Sequence, residues 1–338
     1  MLIDNDDPWL LRFSLEEKSP ANSAPVMTLF EGVAPLDAQF GQWPRKSIPD
    51  VLHEHVLGAD GLQGYALVDA ALLPDLEVRL ARSGLPGSCL FDGAASGQLG
   101  AVAPWLVSLG EDDELTRSLF TRGRPNQSLW DAGAAVFIRS DMSLDDVRHQ
   151  LRKLTQVPDK DGHWMFLRFW NPLFARYLLT YGSPYTRMRL LAAGPMMMRG
   201  ADPDSFLIWS LPEEAHGRKP PSPFVLQPED HHALRLATMD AFAGRVLDWL
   251  NSAYGFLPGS LDAQRFVLEL CHHARARLGL RSEREVSDYI AASWLLREPA
   301  ERRQDCRPLA HEIPQATWAR IHDTAFEIAR NQHPEAAE

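Results

Sequence analysis

Apolar residues come in two rhythms along this chain, and the change between them divides it. From Gly64 to Leu211 short apolar runs alternate with amphipathic stretches. Gly64–Ala70 (GYALVDA), Ser88–Asp92 (SCLFD), Val102–Leu109 (VAPWLVSL), Gly133–Arg139 (GAAVFIR) and Phe206–Leu211 read as strands. The run from Trp164 to Trp170 (WMFLRFW) reads as another, apolar enough to be buried on both faces. Between the strands, Leu73, Leu76 and Leu80 recur at helical spacing before Gly84, and Glu114–Arg122 is a helix. Ser143, three residues before Asp146, opens an amphipathic helix carrying Leu144, Val147, Leu151 and Leu154. Asn171 and Pro172 end the aromatic strand, and Leu173, Phe174, Tyr177 and Leu178 continue it as a helix with Pro172 in its first turn. The alternation predicts an α/β domain, a mixed or mostly parallel sheet flanked by helices.

The rhythm changes at residue 212. Pro212, Pro220, Pro221, Pro223 and Pro228 mark a linker over 212–228. Beyond it the spacing is helical throughout: Asp230–Tyr254, Leu261–Leu278 ended by Gly279, a helix opened by the Ser282/Glu285 capping box, and a last one over Gln315–Arg330. The expected organisation is an N-terminal extension (1–60) broken by Pro20, Pro25, Pro35, Pro44 and Pro49, an α/β domain (61–211), the linker, and an all-helical lobe (229–338). Within the extension, Val26–Phe30 fits a short strand and Val51–Val56 a short helix.

Charge and composition narrow the function. With 45 acidic and 34 basic residues the net charge is −11, which argues against a nucleic-acid backbone as partner. Cys89, Cys271 and Cys306 are scattered and odd in number, as expected of reduced thiols in a cytoplasmic protein rather than of a disulfide framework. The N-terminus (MLIDNDDPWLLRF) lacks the basic and apolar regions of a signal peptide, and no apolar run approaches the ~20 residues that span a bilayer. The expectation is a cytoplasmic protein with no membrane and no nucleic-acid partner.

Catalytic signatures are sparse. There is no G-x-S-x-G elbow, and Gly93, Gly97 and Gly100 follow a strand without the spacing of a phosphate or dinucleotide loop. His53/His55, His231/His232 and His272/His273 lack metal-ligand register. No cofactor and no metal are expected. Asp69, Asp92, Asp131 and Arg168 are the polar residues lodged in or beside apolar strands. They suit either a carboxylate pair for acid–base work or a structural pair in which an aspartate holds a buried Arg168, with Asp69 its first partner and Asp92 its second. Met196–Met198 suits core filling or an adaptable binding surface. Among ten tryptophans, Trp43, Trp105, Trp130 and Trp170 could anchor a protein partner.

Four segments carry a resemblance. Tyr65–Ala70 (YALVDA), Cys89–Gly93 (CLFDG), Ala103–Val107 (APWLV) and Arg168–Pro172 (RFWNP) resemble, in order, the strand motifs of the type VI secretion effector chaperones, or adaptors, long catalogued only as a domain of unknown function. Asn171 stands where that family usually has aspartate. The resemblance implies Asp69, Asp92, Pro104, Arg168, Asn171 and Pro172 as motif positions. It also implies a function: a non-catalytic protein that binds a secreted effector in the cytoplasm and loads it onto a VgrG-type spike. The alternative from another class is a small-substrate hydrolase using the α/β lobe.

Overall fold

The structure is a computed structural model, described here for residues 25–57, 61–91, 99–123, 129–215, 223–255, 262–307 and 314–332. These fall into two compact units, one reaching to Ala237 and one beginning at Thr238.

The first unit is built on a seven-stranded sheet. Its strands are β1 (Val26–Phe30), β2 (Gln63–Asp69), β3 (Gly87–Cys89), β4 (Pro104–Ser108), β5 (Ala135–Ser140), β8 (Met196–Arg199) and β9 (Phe206–Ser210), in the order β1-β9-β8-β5-β2-β4-β3. A separate two-stranded ribbon pairs β6 (Gln156–Pro158) with β7 (Trp164–Phe166). Helices α1 (Asp50–Val56), α2 (Leu76–Ser83), α3 (Glu114–Leu119), α4 (Leu144–Arg152), α5 (Pro172–Tyr181) and α6 (Pro184–Leu190) lie between the strands. The second unit consists of most of α7 (Pro228–Tyr254), with α8 (Ala263–Ala276), α9 (Glu283–Leu296) and α10 (Pro314–Gln332). Among its described residues there is no strand. The expected α/β domain and all-helical C-terminal lobe are both present.

Strand direction is where the expectation was wrong. Every neighbouring pair in the sheet is antiparallel, not parallel or mixed. Residues alternate between two cores: Tyr65, Leu67, Val136, Ile138, Met196 and Met198 enter one, while Ala66, Val68, Ala135, Phe137 and Met197 enter the other. Helices α4, α5 and α6 close the first core and α1, α2 and α3 the second. A sheet covered on both faces reads as continuous apolar runs whichever way its strands point. Met196–Met198 is core, each residue 0–1 % exposed.

Local chemistry fixes the helix ends. The Ser143 hydroxyl accepts the Asp146 amide at 3.2 Å to start α4, and Asp113 accepts the Thr116 amide at 2.8 Å to start α3. Ser282 and Glu285 form the reciprocal box that opens α9. Gly84 closes α2 at φ 70°, a left-handed conformation that favours glycine.

One buried carboxylate that the sequence did not single out ties the turn before α6 to the start of α7. Asp230, fully buried in the first turn of α7, accepts the Ser183 amide at 2.7 Å, the Ser183 hydroxyl at 3.0 Å and the Gln227 amide at 2.8 Å. Gly182 precedes this contact because any Cβ there would overlap the Leu178 carbonyl. Removing the acceptor leaves the buried Ser183 amide and the part-buried Gln227 amide without their partner. Asp230→Ala should therefore cost roughly 2–4 kcal/mol. Chemical denaturation of the purified variant measures this, and a change below 1 kcal/mol would contradict the assigned role.

Candidate functional site

Sheet register brings the motif segments to one end of the sheet. Asp69, the last residue of β2, lies opposite Pro104, the first of β4, and Trp105 lies opposite Cys89 at the end of β3. Proline has no amide hydrogen, so the ladder stops there. The Ala70 amide instead donates to the Ala103 carbonyl at 3.1 Å, and the Leu90 amide to the Pro104 carbonyl at 2.9 Å. The chain leaves β2 in a 3-10 turn, Ala70–Leu72, capped by the Asp69 carboxylate, which accepts the Ala71 amide at 3.1 Å.

Asp69 is 2 % exposed. Burial raises its pKa above the ordinary carboxylate value, opposed in turn by the Ala71 amide, the charge of Arg168 and a hydrogen bond from the Trp170 side chain. The Trp170 contact joins β2 to the turn that precedes α5. Phe169 and Trp170 are buried there, with their rings edge-on at 5.5 Å. Asn171 caps α5, its side-chain oxygen accepting the Leu173 amide at 3.0 Å and the Phe174 amide at 3.4 Å. An aspartate would make the same bonds, so Asn171 keeps the cap that the resembling motif provides. Pro172 occupies the first turn, where its missing N–H is not required.

Arg168 differs from expectation. The strand β7 stops at Phe166, and Arg168 is exposed rather than buried in mid-strand. Its guanidinium lies 5.3 Å from the Phe174 ring centroid. It therefore influences Asp69 through its charge without forming the buried pair expected of it. Asp92, the second expected partner, lies outside the described residues.

Trp164 and Phe166, expected in the core, are 64 % and 52 % exposed. The cause is the two-residue period of a ribbon covered on one face. In register, Gln156 faces Phe166, Val157 faces Met165 and Pro158 faces Trp164. Val157 and Met165 turn to the core, and the flanking aromatic residues turn out. Phe91, half-buried beyond β3, lies 6.2 Å from the Phe166 ring and 6.4 Å from Trp170. Phe91 thus bridges the exposed Phe166 to the buried Trp170, with Trp164 two residues before Phe166 on the same open face of the ribbon.

The tryptophans proposed as anchors sort by burial. Trp130 is 1 % and Trp170 5 % exposed, so neither can anchor a partner on the folded surface. Trp130 fills the second core, its indole donating to the Pro203 carbonyl at 3.3 Å, while Trp105 is half-buried with its indole on the Gly100 carbonyl at 3.0 Å. The exposed aromatic and cationic groups are the residue types enriched at interface hot spots.

The three cysteines and one acidic cluster are the groups that could suggest chemistry. Cys89, Cys271 and Cys306 are buried free thiols, and burial pushes the Cys271 thiol up to about 12, far from a reactive thiolate. Asp159, Asp161 and His163, in the β6–β7 turn, place ligand atoms within 4.8 Å of one another. Asp159 already accepts the Asp161 amide at 2.9 Å and the His163 amide at 2.8 Å, so the cluster is accounted for by the turn.

The fold and site define an α/β domain that displays an aromatic surface at the end of an antiparallel sheet. Residues 64–189, which contain all four motif segments, match the family model described as a domain of unknown function (DUF4123). No curated protein and no solved structure matches the chain. No helix among the described residues is long and apolar enough to cross a membrane.

Because the folded pKa of Asp69 is raised, the native state holds this proton more tightly than the unfolded chain does. Stability from Asp69 is then present below the ordinary value of 3.8 and is lost as pH rises through the folded value. The stability of wild type relative to Asp69→Asn should therefore fall as pH rises from about 4 towards neutrality. Denaturant titrations of both proteins across that range check it; a difference that grows with pH would show that the carboxylate is stabilised by its partners instead.

Proposed function

We propose that this chain is a non-catalytic adaptor that binds a type VI secretion effector in the cytoplasm and loads it onto a VgrG-type spike. The observation that carries the reading is the aromatic surface of Trp164, Phe166 and Phe91, with Arg168 at its edge, raised on the motif segments of the resembling family. Two large aromatic side chains half or more exposed on a rigid ribbon are costly to leave in water and suit a protein interface. Phe166 meets Phe91 with its ring tilted rather than stacked, and the exposed rings can stack on a partner's apolar side chains.

The competing hydrolase reading would need the carboxylates near the sheet end as acid and base. Asp69 is buried and committed to the Ala71 amide, which favours a structural role for it. Binding alone suffices for an adaptor: the surface covers an apolar segment of the effector and later releases it.

The test is co-expression with the proteins encoded beside this gene, followed by purification of the complex. The double variant Trp164→Ala/Phe166→Ala should keep the wild-type melting temperature and lose effector binding by at least about 100-fold, since hot-spot truncations cost 2 kcal/mol or more each. Equal binding by the variant would rule out this surface. Arg168→Ala should also melt within about 1 kcal/mol of wild type, because its exposed contact with Phe174 is of the weak class. It should weaken effector binding at least several-fold; a variant that instead fails to fold would restore a structural role for the arginine.

A further inference from the structure

The two most exposed aromatic side chains among the described residues lie outside the family-like region, on the loop Gln39–Lys46. Phe40 is 88 % and Trp43 90 % exposed. The base of this loop is clamped. Gln39 is 4 % exposed, and its side-chain amide closes the loop like one rung of a ladder, donating to the Lys46 carbonyl at 2.9 Å and accepting the Lys46 amide at 2.7 Å. Arg117 donates to the same carbonyl at 3.1 Å. The Gln39 amide donates to Asp37 at 2.7 Å and the Gln42 amide to the Gln39 carbonyl at 3.2 Å. Gln39 itself has φ 48°, a left-handed conformation unfavourable for a residue with a side chain. Ser47, Ile48 and Pro49 then carry the chain into the interior.

A buried glutamine, a strained backbone and these hydrogen bonds hold a loop that offers two aromatic rings to water. Folding gains nothing from that exposure, and fixing an element in its bound shape beforehand lowers the entropy lost on association. The charge is also distinctive. Lys46 is paired with Asp50 at 2.6 Å, while Arg45 beside it is exposed. We infer that Gln39–Lys46 is a preformed docking loop that inserts Phe40 and Trp43 into an apolar pocket of a folded protein partner, with Arg45 meeting an acidic rim. A loop held in one shape suits a partner whose pocket is already formed, rather than an extended segment. A lipid surface is disfavoured, because a chain of net charge −11 is repelled by anionic headgroups. For the identity of the partner this assignment rests on the adaptor reading, in which the folded partner is the spike.

The experiment uses the full chain, purified VgrG-type spike protein, purified effector, and vesicles of phosphatidylcholine with phosphatidylglycerol. Phe40→Ala/Trp43→Ala should weaken binding to the spike at least about tenfold while leaving the melting temperature and effector binding unchanged. Gln39→Ala, which keeps both rings but opens the clamp, should weaken spike binding by a smaller factor. Arg45→Glu should weaken it further as salt is lowered, the sign expected against an acidic rim. Spike binding unchanged in the double variant would overturn the assignment. So would a loss that falls on the effector, or wild-type binding to the vesicles that the double variant abolishes. Spike binding that needs the loop, in a chain that binds no effector, would uphold the loop and refute the adaptor reading. A wild-type chain that binds neither protein would remove both.

Discussion

The buried carboxylate of Asp69 is the constraint on which the candidate site depends. It sits where β2 meets Pro104 and the antiparallel ladder runs out of donors. It caps the turn that leads the chain out of the sheet, and the Trp170 side chain lies close enough to help hold its pKa down against burial. Trp170 in turn packs against Phe91 and Phe169. One acceptor therefore sets the end of the central strand and the turn that leaves it, beside the buried Trp170 against which Phe91 packs. The other motif residues serve the same turn: Asn171 supplies the cap and Pro172 starts the helix without an orphaned donor. The motif is best understood as a scaffold for a surface, and the surface residues Trp164 and Phe166 lie just ahead of it in sequence.

Much of this was legible from apolar spacing. The strands Gly64–Ala70 and Gly133–Arg139 and the capped helices beginning after Ser143 and Ser282 appear within a few residues of where periodicity places them. Strand direction was not legible, because burial on both faces reports cover by helices and carries no information on polarity. The stretch from Trp164 to Trp170 misled for a related reason. Six apolar or aromatic positions broken by one arginine have no readable period, so a ribbon with outward Trp164 and Phe166, a break at Leu167 and an inward turn at Phe169–Trp170 look like one buried strand. Arg168 was misplaced with them. A signal was available in the Asp159–His163 segment, whose Asp-Lys-Asp-Gly composition marks a tight turn and hence a ribbon. Asp230 could not be found from sequence, since the partner that gives it its role, Ser183, lies 47 residues away.

Two chemically different surfaces emerge on the first unit. The ribbon surface is broad, aromatic and built on residues within 64–189. The Gln39–Lys46 loop is small, rigid and outside that range. Separate surfaces are what a protein needs if it is to hold one partner while presenting it to another, because overlapping ones would compete. The second unit keeps its own core, with Tyr289 edge-on to Trp318 at 5.1 Å and fully buried, and is stabilised independently of either surface.

The measurement that bears most directly on the central claim is oxidative footprinting of the chain alone and in complex with the effector partner proposed for it. Hydroxyl radicals modify exposed aromatic side chains in proportion to their access to water. In the complex, Trp164 and Phe166 should lose most of their reactivity, while Trp130, already buried in the core, should stay unreactive in both states. Trp164 and Phe166 that react equally in the free chain and in the complex would contradict the claim that this ribbon is the effector-binding surface.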